Sequence, residues 1–205
     1  MAFTMRTTLR GALALCALGV LASPSLFAAV VVVESTVWAN NGHLYNLLAN
    51  QSATGGNTGL SWTDAENYAA SNGGHLATVD SADTQDWIWS QFGSANYNYW
   101  IGLTDRVNEG VYLWIGTGLA ATYTNWYPGE PNDFNNEDYT LVLRSGFSGG
   151  NGLGGGKWND YQDTTFFYDA EIYAVADMGN AVPEPASLGM LAIGAALLAG
   201  LRRRA

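Results

Sequence analysis

Gly129-Glu130-Pro131-Asn132, Glu137-Asp138 and Trp158-Asn159-Asp160 gather carboxylates and carboxamides into three short clusters with little positive charge beside them. Hard oxygen donors spread over several loop positions are what a calcium ion takes as ligands. The same alternation suits a sugar diol, because an ionised carboxylate only accepts hydrogen bonds whereas an amide NH2 donates them. The residue types therefore imply calcium-dependent sugar recognition rather than catalysis.

The balance of charge fits that reading. Between residues 30 and 181 the only cationic side chains are Arg106, Arg144 and Lys157, against 17 of the chain's 18 carboxylates, a formal charge of −14. A surface of this sign repels nucleic acid and anionic membranes and attracts a divalent cation. Cys16, in the leading apolar run, is the only cysteine of the 205 residues, so the remainder can form no disulfide. Stability must come from the core, and eight Trp, eleven Tyr and seven Phe supply large apolar area for it.

Both ends read as targeting segments. Residues 1–28 carry Arg6 and Arg10, an apolar run over 11–21, then Ser23-Pro24-Ser25 and small residues, the layout of a secretory signal cleaved near Ala28. The run is short for a bilayer span, and a retained N-terminal anchor is the alternative. At the other end, Val182-Pro183-Glu184-Pro185 precedes an apolar run over 188–201 and then Arg202-Arg203-Arg204. The Pro-Glu-Pro triplet breaks any helix, and the arginines hold the end of the run on the cytoplasmic side. Residues 182–205 resemble the PEP-CTERM sorting signal of Gram-negative bacteria. That resemblance implies an exosortase-type processing enzyme as partner, membrane contact through the tail before processing, and a place in the envelope or exopolysaccharide. A plain C-terminal anchor is the alternative, and both put residues 30–180 outside the cytoplasm.

The elements that must position the three clusters lie in residues 30–180. Ser61 with Asp64 three residues on predicts a helix start, Ala65, Tyr68 and Ala69 fall on one face, and Gly73-Gly74 ends the helix. A second helix is predicted from Asp80-Ser81-Ala82-Asp83 to about Phe92. Strand-like runs follow at 99–103, 111–114, 139–143 and 166–175. Two helices followed by a mostly antiparallel sheet give an α+β class. The segments 115–138 and 145–163 are rich in Gly, Asn, Asp and Pro, and loops of that length in a compact domain are often functional.

With these landmarks in order, the chain resembles a C-type lectin domain. They are Gly42-His43-Leu44-Tyr45, the helix leading into Gly74-His75-Leu76-Ala77, Trp100-Ile101-Gly102-Leu103, Asn125-Trp126 ahead of Glu130-Pro131-Asn132, and Trp158-Asn159-Asp160. The resemblance implies two helices, mixed mostly antiparallel sheets and long calcium-binding loops. It assigns Glu130, Asn132, Glu137, Asn159 and Asp160 to a principal Ca2+ and sugar site, with Pro131 as a cis-proline. It assigns Asp105, Glu109, Asp133 and Asp138 to a second Ca2+ site, with turn roles as the alternative for Asp105 and Glu109. The order Glu-Pro-Asn resembles the mannose-type signature and implies a carbohydrate with equatorial vicinal hydroxyls, bound through Glu130, Asn132, Glu137 and Asn159.

Two departures stand out. The positions matching the family's cysteines hold Ala69, Ala170, Tyr139 and Asp163, and the glycine-rich run 145–156 lengthens the link between Glu137 and Trp158. Two rival functions remain. One is a structural or protein-binding module that uses calcium only to hold its loops. The other is a glycosidase with Glu130 and Glu137 or Asp138 as an acid–base pair. His43 and His75 read as turn or core residues, and Trp126 as core.

Overall fold

A computed structural model of the chain describes residues 29–147 and 154–180. The proposed leader, the PEP-CTERM segment and part of the glycine-rich run lie outside these residues.

The chain opens on a β-hairpin: β1 (Ala29–Val37) pairs antiparallel with β2 (His43–Gln51), with a bulge between Val32 and Glu34. A short β3 (Asn57–Thr58) leads to α1 (Trp62–Ser71), then β4 (His75–Leu76) and α2 (Ala82–Phe92). Both helices begin as the sequence predicts. Ser61 Oγ accepts from the Asp64 amide at 3.1 Å and Ser81 Oγ from the Thr84 amide at 3.2 Å, each satisfying one otherwise orphaned helix donor. Gly73, at φ 84°, turns the chain out of α1, and a side chain at Gly74 would collide with the Asp177 carbonyl at 2.4 Å.

The remaining strands are β5 (Tyr97–Thr104), β6 (Leu113–Trp114), β7 (Tyr139–Val142), β8 (Trp158–Tyr161), β9 (Phe166–Phe167) and β10 (Ala170–Asn180). The long strands align in the order β1-β2-β10-β5-β7-β8; every neighbouring pair is antiparallel except β10 with β5, which is parallel. This is the α+β, mixed but mostly antiparallel sheet implied by the sequence.

Three readings need correction. The helices do not come first, because the β1–β2 hairpin precedes them, with an unbroken valine run at 30–33 and a β2 buried continuously from Tyr45 to Ala49. The run 166–175 is not one strand. It breaks at Tyr168, whose φ of 53° makes a tight turn between β9 and β10. Trp158-Asn159-Asp160 lies on strand β8 rather than in a loop.

Both faces of the central sheet are covered, so β5 is buried from Asn98 to Thr104 and reads as a continuous run. Successive residues fall into opposite cores. Leu47, Ile101 and Val175 pack with Ile88, Phe92 and Trp158, while Leu48, Trp100 and Ala174 pack with Trp62, Ala65 and Ala69. Buried indole N–H groups are satisfied: Trp62 donates to the Ile101 carbonyl at 2.9 Å, Trp100 to the Leu60 carbonyl at 2.8 Å, and Trp158 to Gln85 Oε1 at 2.8 Å. At the positions matching the family's cysteines, Ala69 joins the second apolar core, Ala170 is buried, Tyr139 packs on Trp62 at 4.8 Å, and Asp163 accepts from the Thr63 amide at 3.2 Å.

Gln85 is the strut between α2 and the site strand, since its Nε2 also donates to the Gly156 carbonyl at 3.1 Å. Replacing Gln85 with Ala leaves the buried Trp158 indole N–H bare, while the Gly156 carbonyl keeps only its bond from the Asn125 side chain. The expected loss is about 1–3 kcal/mol of unfolding free energy, read from urea denaturation followed by tryptophan fluorescence.

Candidate functional site

The site is built on β8. Its register with β7 sets Thr140 opposite Asp160 and Leu141 opposite Asn159. The long loop after β6 is sewn to the same strand: the Trp158 amide donates to the Asn125 carbonyl at 2.9 Å and the Tyr127 amide to the Trp158 carbonyl at 2.8 Å. Lys157 Nζ donates to Asn125 Oδ1 at 2.6 Å, and the Asn125 amide donates to the Gly156 carbonyl at 2.8 Å. Trp126 is half-buried, with its ring against Trp158 at 5.7 Å and Tyr112 at 5.0 Å, a packing role. This stitching carries the Gly129–Asn132 turn, in which the Glu130–Pro131 peptide is cis, onto Asp160.

Asp160 is fully buried, and its carboxylate accepts four bonds. The Asn132 amide N–H reaches both oxygens at 3.0 and 3.2 Å, the Asp133 N–H reaches Oδ2 at 2.9 Å, and the Tyr112 hydroxyl donates to Oδ2 at 3.3 Å. Asn132 in turn donates its side-chain NH2 to Glu130 Oε2. The Phe134 N–H is shared between Asn132 Oδ1 at 2.9 Å and Glu137 Oε2 at 3.1 Å, and the Glu137 N–H returns to Asp133 Oδ1 at 2.9 Å. Asp133, Asn135 and Asn136 take the left-handed conformation at φ 49°, 63° and 69°, which short polar side chains tolerate best among non-glycine residues. Glu130, Asn132, Glu137 and Asp160 thus form one hydrogen-bonded group. Asn159 adjoins it on β8, nearly buried, with its amide donating to the Asp160 carbonyl.

The second predicted set adjoins the first. Asp105 is 2 % exposed; its Oδ2 accepts from the Gly110 N–H at 2.9 Å, while its Oδ1 is buried without a hydrogen-bond partner. The Asp105 amide and the Thr104 hydroxyl both donate to the Asp138 carbonyl, at 3.3 and 2.6 Å. Glu109 lies close enough to hydrogen-bond Asp105 and to feel Asp133.

This concentration of negative charge shows in the acidities. Burial, reinforced by the Asp160 carboxylate, pushes the Glu130 carboxyl up to about 7. Burial and then Asp160 also push Glu137 up to about 7. Desolvation and then Asp105 raise Glu109; burial and then Asp105 and Asp133 raise Asp138, with Arg106 offsetting part of the effect. Burial, then the Asp160 and Asp105 carboxylates, keep the Tyr112 hydroxyl protonated, so it remains a donor. The ion pairs of the described residues (His43–Asp177, His75–Glu66 and Arg144–Asp169) involve none of these groups.

The donor chemistry fits a hard divalent cation: crowded carboxylates without cationic partners, interspersed amide oxygens, and an orphaned buried oxygen on Asp105. Among the described residues no three His, Cys, Asp or Glu side chains already converge as a metal-holding group. Several carboxylates are instead turned to the hydrogen-bond partners named above. The sequence did not single out Tyr112 or Gln85, and marked Asn125 only as a landmark of the family resemblance. Tyr112 follows Val111 and precedes Leu113, with nothing local to mark its hydroxyl as aimed at a carboxylate.

Two helices, a mixed sheet and an acidic site held between β8 and the β6–β7 loop are the features to set beside known proteins. The lectin C-type domain family profile matches residues 58–168, and the chain belongs to that family. Residues 181–204 match the PEP-CTERM protein-sorting motif, a signal that accompanies export. The chain is 34% identical over 83 residues to a perlucin-like protein of Mytilus galloprovincialis, covering 39% of this chain and 53% of that protein. It is 34% identical over 114 residues to C-type lectin domain family 10 member A of Homo sapiens, covering 50% of this chain and 30% of that one. The chain thus spans only about a third to a half of the length of these relatives. Among solved structures it is similar to the cow C-type carbohydrate-recognition domain of CD23, determined in the presence of a GlcNAc2Man3 oligosaccharide. There the TM-score is 0.51 and the identity 25%, over 73% of this chain and all of that one.

The raised pKa values predict opposite pH responses with and without metal. In chelator, Glu130 and Glu137 bind protons in the folded state below about 7, whereas the unfolded chain binds them only near 4.5. The metal-free domain should therefore gain stability as pH falls from 8 to 5.5, seen as a rising Tm. Over the same window the apparent calcium affinity should fall about tenfold per pH unit for each carboxyl that must lose its proton, measured by calorimetry.

Proposed function

We propose that this domain binds carbohydrate in a calcium-dependent manner, through Glu130, Asn132, Glu137, Asn159 and Asp160. The observation that carries the reading is the hydrogen-bonded group around Asp160, in which acid and amide ends from the long β6–β7 loop and strand β8 are brought side by side without a cationic partner. Bound calcium supplies charge balance and open coordination positions for a pair of hydroxyl lone pairs. The carboxylates of Glu130 and Glu137 accept the hydroxyl protons, and the amides of Asn132 and Asn159 donate to the remaining lone pairs. Asp160, fixed by two backbone amides and Tyr112, anchors the 130–133 turn against β8. Asp105, Glu109, Asp133 and Asp138 hold a second calcium ion that orders the loops.

The acid-then-amide order of Glu130-Pro131-Asn132 supports equatorial vicinal hydroxyls, as in mannose, glucose or N-acetylglucosamine. The oligosaccharide named with the CD23 domain is of that class. C-type lectin domains are typically not enzymes, and the reading here is binding without turnover. A single small polar ligand buries little surface, so adhesion comes from many copies on repeated glycans. The PEP-CTERM segment supports export to the envelope or exopolysaccharide of a Gram-negative bacterium. An exosortase-type enzyme processes the tail, which contacts the membrane until then. Among the described residues no helix is long and apolar enough to cross a membrane.

Calorimetry of the purified chain against mannose and galactose should give weak mannose binding that is present with calcium and absent with chelator. Glu130→Gln combined with Asn132→Asp should shift preference toward galactose. A glycan array that stays blank in millimolar calcium would instead favour the protein-binding module. Chelation should speed hydrogen exchange across 104–138 and 154–160 while leaving 62–71 and 82–92 protected; unchanged exchange in those loops would count against calcium.

A further inference from the structure

Tyr168 departs from ordinary practice twice. It is 75 % exposed, and it holds φ at 53° in the turn between β9 and β10. A bulky residue in the left-handed region is an outlier that costs free energy. Glycine would make the same turn without that cost. Packing does not explain the ring, since most of it lies outside the core. Strain of this kind, kept at an exposed aromatic, points to a binding role.

The ring is steadied from below and open above. It meets Phe167, which is buried, at 4.7 Å and Phe147 at 5.7 Å, both edge to face. Phe166, two residues away, is itself 46 % exposed. The residue that follows is polar: Asp169 accepts from the Arg144 guanidinium at 2.6 Å, with most of its side chain in solvent. An open π face with a carboxylate at its rim suits a sugar ring. The slightly positive C–H face of the sugar meets the negative face of the aromatic ring, and its hydroxyls donate to the carboxylate.

Two chains of ring contact run from the acidic site to Tyr168. Tyr161 directly follows Asp160 and stands two residues from Asn159 on β8, so it shares the Asn159 face of the sheet. Its ring meets Phe167 at 4.6 Å. On the other side, the Tyr127 carbonyl accepts the Glu130 N–H at 2.9 Å, and the Tyr127 ring meets Phe147 at 6.0 Å. Both chains end at Tyr168, so the aromatic surface is continuous with the acidic site. A chain of several sugars can follow it, whereas a single sugar cannot reach both ends.

We propose that Tyr168, with the Arg144–Asp169 pair at its rim, is a second carbohydrate contact, on which later units of a glycan stack while one unit is held at the Glu130–Asp160 site. This rests on the calcium-dependent sugar binding proposed above, and it makes the ligand a polysaccharide rather than a free monosaccharide.

The test titrates the full chain, in a sugar-free detergent with millimolar calcium, with mannose and with α-linked mannotetraose by calorimetry. Mannotetraose should bind about tenfold tighter than mannose. Y168A and Y168G should each bring mannotetraose down to the mannose affinity and leave mannose itself unchanged. Y168F should keep the gain, because the ring face and not the hydroxyl makes the contact. Y168G should melt no lower than the wild type, since glycine relieves the left-handed turn; a lower Tm would assign the ring to packing and overturn the proposal. Mannose binding in calcium with no gain for mannotetraose overturns the second contact and leaves the acidic site standing. So does a gain that survives in Y168G. If neither sugar binds in calcium, the acidic-site reading fails, and this inference falls with it.

Discussion

The buried carboxylate of Asp160 is the constraint around which the rest of this structure is arranged. An ionised group in a protein interior is costly unless its lone pairs are filled. Here they are filled by neutral donors alone, two backbone amides and a tyrosine hydroxyl. That choice fixes the 130–133 turn to β8 but cancels none of the charge. Burial, reinforced by this uncancelled charge, then raises the pKa values of Glu130 and Glu137, the neighbours meant to stay available, to about 7. A cationic side chain at the same place would have made the loop more stable and closed the site.

The sheet makes this tolerable. β8 is held by β7 on one edge and by the 125–127 segment on the other, and its tryptophan is clamped by Gln85 from α2. The polar strain of the site is thus anchored to elements whose own cores, on both sheet faces, are dry and rich in aromatics. Aromatic side chains and satisfied indole N–H groups do here what covalent cross-links do elsewhere.

Much of this was legible in the sequence. Ser61 and Ser81 announced their helices because capping is a local interaction of a few consecutive residues. The acidic and amide clusters announced a site because their composition has no other economical use. The β1–β2 hairpin left no period-two signal, because Val30–Val33 run without a break and β2 is buried on both faces. The break at Tyr168 and the strand character of 158–161 depend on partners far away in sequence, and nothing in Phe166–Val175 or Trp158-Asn159-Asp160 betrays them. Tyr112 and Gln85 escaped for the same reason: their role is the direction of one polar atom, which only the assembled sheet decides.

Ala69 and Ala170 stand where the family resemblance implies a sulfur bridge, and both are buried without one. The folded unit therefore makes no demand on the oxidising power of its surroundings.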